Sequence, residues 1–133
     1  MAAVPANHPL AQSKHEITFE DLRDEPLIMH SATKARYFYD LVVRLIDVEH
    51  KNVRHTVSQI LTMIALVSAG RGIAFVPESA KLLGVPGVSY LRLPEVREDP
   101  VQLHAIWSRT SKNPALERLV NIVRGSLHGN DAD

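Results

Sequence analysis

The chain has 133 residues, fifteen acidic and fifteen basic side chains, no cysteine, and a 45% hydrophobic composition. A chain of this length fits one domain that buries about two-thirds of its unfolded surface, and its balanced charge creates no general attraction for nucleic acid or anionic membrane. Lack of cysteine removes disulfides, thiolate catalysis and most structural zinc sites, and leaves the redox compartment open.

Ala3–Val4 reads as the tail of a strand whose beginning is missing, so the chain is expected to be a fragment. Val4–Lys14, with two prolines, reads as an extended connector. Phe19–Leu22 is a short helical turn, broken at Glu25–Pro26 before a buried strand at Leu27–His30. Ser31 or Thr33 is expected to cap a helix over Lys34–Glu49, with an apolar stripe through Phe38, Leu41, Val42 and Leu45; Asp47 is placed on its surface. Val53–Thr56 reads as the next strand.

Thr56–Pro77 carries the strongest local signal. Ile60, Met63, Ile64 and Val67 have the i, i+3, i+4, i+7 spacing of a core-facing helix. Ser58 is its expected N-cap and Gly70 its left-handed stop. Arg71–Gly72 then turns into Ile73–Val76, a strand too short and apolar for a surface. Such a helix, turn and buried strand predict a mainly parallel α/β sheet, in which ligands gather at the carboxyl ends of the strands.

Glu78–Leu83 reads as a short helix ended by Gly84 and Pro86, Val88–Leu93 as a strand, and Pro94–Pro100 as a charged loop. Val101–Trp107 is expected to be a further strand. Asn113–Pro114 is a helix start, with asparagine as cap and proline in the first position. Leu116, Leu119, Val120, Val123 and Leu127 form its apolar side, and Gly129–Asp133 a polar tail. No apolar run approaches the roughly 18 residues that cross a bilayer, and the N-terminus lacks the pattern of a secretory signal, so a cytoplasmic protein is expected.

Seven histidines invite a metal site, but no pair has ligand spacing, and neither metal nor cofactor is expected. No serine occupies a G-x-S-x-G elbow. Gly70-Arg71-Gly72 follows a helix and enters a strand, the reverse of a nucleotide loop, which argues for a helix stop. One constellation remains. Strands Leu27–His30, Val53–Thr56 and Ile73–Val76, if parallel, bring their following turns to one edge. There His30, Ser31, Thr33, Thr56, Ser58 and Gln59 offer hydrogen bonds, and Val76 and Pro77 an apolar wall. Helix first turns at that edge suit a small organic anion held by backbone amides and hydroxyls. The structural reading of the same residues is that Ser58 and Thr33 are merely caps and His30 a partly exposed histidine closing its own loop.

The ordered motifs resemble a family. His8-Pro9-Leu10-Ala11, Phe19-x-Asp21-Leu22 with Glu25-Pro26-Leu27-Ile28, and above all Val67-Ser68-Ala69-Gly70-Arg71-Gly72-Ile73-Ala74-Phe75-Val76-Pro77 resemble the effector-binding domain of LysR-type transcriptional regulators. Val88–Leu93, Leu103–Trp107 and Asn113-Pro114-Ala115-Leu116 resemble its closing strand, crossing strand and last helix. The resemblance covers residues 4–126 and lies mainly in that domain's second subdomain. It implies a periplasmic-binding-protein-like (type 2) fold of two α/β subdomains hinged by crossing strands, with an effector between them that resets how a tetramer holds DNA. On that pattern residues 1–15 are a crossing segment from a missing first subdomain and 16–94 the second subdomain. Residues 95–126 are then the return strand and last helix, and 127–133 a tail.

The implied effector site is His30, Ser31, Thr56, Ser58, Gln59, Val76 and Pro77. The implied partners are a small anionic effector, DNA only through an absent helix-turn-helix domain, and no membrane. Because the last helix would normally pack on the missing subdomain, its bare apolar side implies a homo-oligomer. A solute-binding or transport receptor of the same fold is the alternative reading. An enzyme on this fold, prephenate-dehydratase-like or porphobilinogen-deaminase-like, would have only His30 and Thr56 as weak catalytic candidates.

Overall fold

The computed structural model describes residues 1–46, 48–96, 101 and 104–128 in two units, 1–101 and the part from 102 onward. The first unit contains strands β1 (Ala2–Pro5), β2 (Leu27–His30), β3 (Val53–Val57), β4 (Ile73–Phe75) and β5 (Val88–Leu91). Its helices are α1 (Phe19–Leu22), α2 (Arg36–Leu45) and α3 (Ile60–Ser68), with 3-10 turns at Pro9–Gln12, His50–Asn52 and Glu78–Leu83. The strands form one sheet in the order β3-β2-β4-β1-β5. β2 runs parallel to both β3 and β4, so the three strands do deliver their ends to one rim.

The strand expected at Ala3–Val4 is β1, residues 2–5, buried between β4 and β5 and antiparallel to each; of the expected connector Val4–Lys14, only Val4 and Pro5 belong to it. Being antiparallel to a common neighbour, β4 and β5 run the same way, and the end of β5 joins the rim. β3 lies at a sheet edge with its central residues exposed, so the expectation of three interior strands holds for β2 and β4 only.

Alternation of side chains splits the core into two layers. Leu27, Met29, Ile73, Phe75, Ala2 and Val4 face one side and pack with Leu22 of α1 and Val42 of α2. Ile28, Ala74, Val76 and Ala3 face the other and pack with Met63, Ile64 and Val67 of α3. Helices on both faces explain why β2 and β4 are apolar throughout.

α1 is held by a reciprocal capping box: the Asp21 N–H reaches the Thr18 hydroxyl at 3.4 Å and the Thr18 N–H reaches Asp21 Oδ2 at 2.9 Å. α2 is shorter than expected. Its cap position is Ala35, because Ser31 closes a preceding turn by accepting the Lys34 N–H on its hydroxyl and the Ala35 N–H on its carbonyl. α3 begins later than expected as well. Gln59, not Ser58, occupies the cap position and makes no side-chain cap bond, while Thr56 belongs to β3. The end of α3 is a full Schellman motif: the Arg71 N–H bonds the Leu66 carbonyl and the Gly70 N–H bonds that of Val67, with Gly70 at φ 70°.

Val101 and residues 104–107 form no strand: they have no ladder to join, and a strand needs one. The expectations for Asp47, for 97–100, for 102–103 and for the tail 129–133 lie outside the described residues. In the second unit, α4 (Pro114–His128) starts where expected, with Asn113 Oδ1 accepting the Ala115 N–H at 3.0 Å. Among the described residues no helix is long and apolar enough to cross a membrane.

Gly72 fixes how α3 returns to the sheet. At φ 146°, a Cβ there would overlap the Pro26 carbonyl oxygen, and the Ile73 N–H bonds that same oxygen at 2.8 Å. Gly70, also left-handed, has nothing within 4 Å of a built Cβ. Gly72→Ala should therefore destabilise by about 2–4 kcal/mol, and Gly70→Ala by about 1–2 kcal/mol. Urea midpoints for the two variants check this; equal losses would mean that backbone conformation, not the approach to Pro26, is the constraint at Gly72.

Candidate functional site

The rim is built by topology. β2 connects through α2 to β3 on one side, whereas β3 connects through α3 back across β2 to β4 on the other. Right-handed crossovers in opposite directions place α2 and α3 on opposite faces, as the two core layers require. The switch point, where connections leave adjacent strands in opposite directions, therefore lies between β2 and β4, and the turns after β2, β3 and β4 share the rim beside it.

The crevice at the carboxyl ends of β2 and β3 is polar. A cavity of about 330 Å³ is lined by Ser31 after β2, Thr56 and Val57 at the end of β3, Ser58 and Gln59 in the turn, Thr62 in the first turn of α3, and Lys34. The Ser31 N–H is taken by the Val57 carbonyl at 2.7 Å, which clamps the two strand ends together. Its hydroxyl lies 3.2 Å from that of Thr33. The first N–H groups of α3 have no side-chain cap. They concentrate the positive end of the helix beside the hydroxyls and the Lys34 ammonium, which is a donor-rich place for an anion.

His30 sits apart from this cluster, in a neighbouring cavity of about 380 Å³ lined also by Phe38, Ser58, Ile60, Pro77 and Ser79. It is not a loop-capping residue. Its side chain is buried, stacks on Phe38 at 5.1 Å between centroids, and holds Nε2 3.2 Å from the Phe75 carbonyl. A carbonyl only accepts, so Nε2 carries the proton and donates. Burial lowers the imidazole pKa, and the Phe75 bond opposes this only in part. His30 is thus neutral.

Val76 and Pro77 line a third and more apolar cavity of about 350 Å³, with Phe38, Leu93, Glu78 and Arg92. Ser58 is common to the first two cavities, Phe38 and Pro77 to the last two. The expected site residues therefore share one rim but not one pocket: Ser31, Thr56, Ser58 and Gln59 come together, His30 and Pro77 meet at Ser58, and Val76 lies farthest along. The polar cavity is the better seat for an anion, since it converges hydroxyls on the start of α3, whereas the third cavity is lined mainly by apolar side chains with Met1, Glu78 and Arg92 at its polar part.

Sequence reasoning passed over Lys34, Thr62, Phe38 and Arg92. Lys34 was within reach, three residues after the Ser31 turn, and Thr62 is one turn into a recognised helix. Arg92 belongs to the rim only once β5 is known to run with β4. Among the described residues no group of three His, Asp or Glu side chains is placed to hold a metal ion.

The family model described as LysR substrate binding domain matches residues 1–127. The chain belongs to this family. It is similar to the HTH-type transcriptional regulator TtuA of Agrobacterium vitis, 33% identical over 128 residues that make up 91% of this chain and 41% of TtuA. It is also similar to the HTH-type transcriptional regulator AlsR of Bacillus subtilis (strain 168), 34% identical over 90% of this chain and 40% of AlsR. The chain thus spans about two-fifths of the length of these curated relatives. Among solved structures, the BenM effector binding domain with its effector benzoate matches at TM-score 0.61 and 29% identity, over 70% of this chain and 43% of that one. The effector binding domain of QuiR in complex with shikimate matches at 0.55 and 26%, over 69% and 43%. Full-length BenM, at 0.70 and 21% over 98% of this chain and 44% of its own, shares the fold. The periplasmic-binding-protein-like α/β fold and the LysR-type effector-binding domain expected from the motifs are both borne out.

His30 also makes the domain's stability depend on pH. Its native pKa lies below the ordinary value of about 6.5. Between the two values the unfolded chain binds a proton that the native one does not. The stabilisation is therefore present above pH 6.5 and is lost as pH falls below it towards the native pKa. Urea midpoints should drop more between pH 7.5 and 5.5 in the wild type than in His30→Gln; parallel drops would dismiss His30 as the group responsible.

Proposed function

We propose that this chain is the ligand-sensing part of a LysR-type transcriptional regulator, and that its effector is a small organic anion seated in the crevice at the carboxyl ends of β2 and β3. The observation that carries this is the polar cavity itself, where Ser31, Thr56, Ser58, Gln59, Thr62 and Lys34 surround the uncapped first turn of α3. The effectors of two structural neighbours, benzoate and shikimate, are carboxylates, which supports an anion here. Val76 and Pro77 extend the rim as an apolar wall.

Residues 1–15 are read as the crossing segment into a second subdomain spanning 16–94, with 95–126 as the return; the central place of β1 in the sheet supports this. Effector binding acts by closing this subdomain on another and shifting a population between arrangements, which requires the effector to favour one of them. DNA is contacted through a helix-turn-helix domain elsewhere in the protein, since the chain covers about two-fifths of regulators so described. The protein works in the cytoplasm as a homo-oligomer. The last point is supported by α4, whose apolar residues Leu116, Leu119, Val120 and Val123 have no other helix or strand to cover them among the described residues of their own unit.

A binding role is favoured over an enzymatic one. His30 has its Nε2 proton committed to Phe75, and the named relatives are regulators. The same relatives favour a regulator over a transport receptor.

Thr56→Ala and Gln59→Ala in the full-length protein should each raise the effector concentration needed for half-maximal response about tenfold. Operator affinity without effector should stay unchanged. Gel shifts titrated with effector, found by screening aromatic, amino and sugar acids for thermal stabilisation, read both quantities. An unaltered response in both variants would remove the effector from this cavity.

A further inference from the structure

The cavity beside the polar crevice has its own chemistry. His30 is 3% exposed, and its Nε2–H is committed to the Phe75 carbonyl. The ring makes no second hydrogen bond, yet among the described residues no fully buried side-chain nitrogen or oxygen lacks a partner. Nδ1 therefore retains access, and the cavity that His30 lines is the one shared with Phe38, Ser58, Ile60, Pro77 and Ser79. In this tautomer Nδ1 carries a lone pair and no proton.

An acceptor set in an apolar wall discriminates strongly. A ligand carbon pressed against it removes it from solvent and leaves it unpaired, whereas a ligand donor satisfies it. The donor must be neutral, because no carboxylate lines this cavity to compensate an ammonium brought out of water. Ser58 lines both this cavity and the anion-holding crevice, so the two lie side by side.

We infer that His30 is a specificity-determining residue that selects hydroxylated carboxylic acids, its Nδ1 accepting a ligand hydroxyl while the carboxylate sits at the first turn of α3. This rests on the effector site proposed above. Desolvation, which keeps the imidazole neutral, keeps Nδ1 an acceptor rather than a donor. Phe38 fixes the ring plane by stacking, and the Phe75 bond fixes which nitrogen faces the ligand.

Calorimetric titration of the full-length protein with matched acids tests this: benzoate against 3- and 4-hydroxybenzoate, and cyclohex-1-ene-carboxylate against shikimate. In at least one pair the hydroxylated acid should bind about tenfold more tightly. His30→Phe should erase that preference. His30→Gln, whose amide offers an N–H to Phe75 and an oxygen to the cavity, should keep it. Should H30F fail to fold, the wild type still decides: the methoxy analogue of the preferred acid, which fills the space without donating, must bind no better than the unsubstituted one. Equal affinity within every pair overturns the role of His30 and leaves the carboxylate site standing. A preference that survives H30F, or a methoxy analogue that binds as well as the hydroxyl, overturns it too. Binding of none of these acids removes the carboxylate site and this inference together.

Discussion

Close backbone approach at Gly72 is the constraint from which the rest of the first unit follows. The Ile73 N–H meets the Pro26 carbonyl at 2.8 Å only because no Cβ stands between them. That contact starts the β2–β4 ladder in the register Leu27 with Ile73 and Ile28 with Ala74. A slip of one residue would turn Ile73 and Phe75 towards α3 and Ala74 towards α2, exchanging large and small residues between layers already filled. The same register brings the end of β2 level with the end of β4, where His30 finds the Phe75 carbonyl. A glycine at one end of the sheet thus determines what meets at the other.

Parallel strands have a consequence that antiparallel ones lack: every turn that leaves them opens on the same side. The polar groups of Ser31, Thr56, Ser58 and Gln59 are far apart in sequence and adjacent in space because β2 and β3 run together. The covering helices leave on opposite faces, and the cavity at these turns opens to solvent. Unsatisfied N–H groups at the start of α3 and hydroxyls around it would be costly in a sealed interior. At an open crevice they are donors available to a ligand. β1 contributes differently. By running against its neighbours it turns β5 parallel to β4 and adds Arg92 to the far end of the rim.

Strongly local signals were legible in the sequence. The stop at Gly70, the buried strands Leu27–His30 and Ile73–Phe75, and the Asn113 cap depend on residues a few positions apart, and each forms where expected. Signals that depend on a distant partner were not. A strand tail was legible at Ala3–Val4, but residues 2–5 show no alternation of polarity because both faces are covered, and their place between β4 and β5 was not. Val101 and 104–107 were expected in a strand and form none. Ser58 has the chemistry of a cap, yet the chain stays extended one residue longer and Gln59 takes the position, which leaves the serine hydroxyl at the junction of two cavities. The site was legible as a set of residues and not as a partition. Alternation at a strand end does say that His30 faces away from Ser31, but nothing local says that Phe38, from the next helix, covers its ring.

That partition is the physical content of the site. On one side of Ser58 lie donors: ammonium, hydroxyls and helix N–H groups. On the other lie mostly carbon, the His30 acceptor and the Ser79 hydroxyl. A simple anion uses only the first half, and a simple hydrocarbon only the second. Burying a histidine carries a desolvation penalty that a Phe or Leu at position 30 would avoid while filling the same layer. The imidazole is tolerated because Phe38 covers its face and Phe75 takes its proton, and together these hold the remaining nitrogen towards the space where a ligand's second functional group must fit.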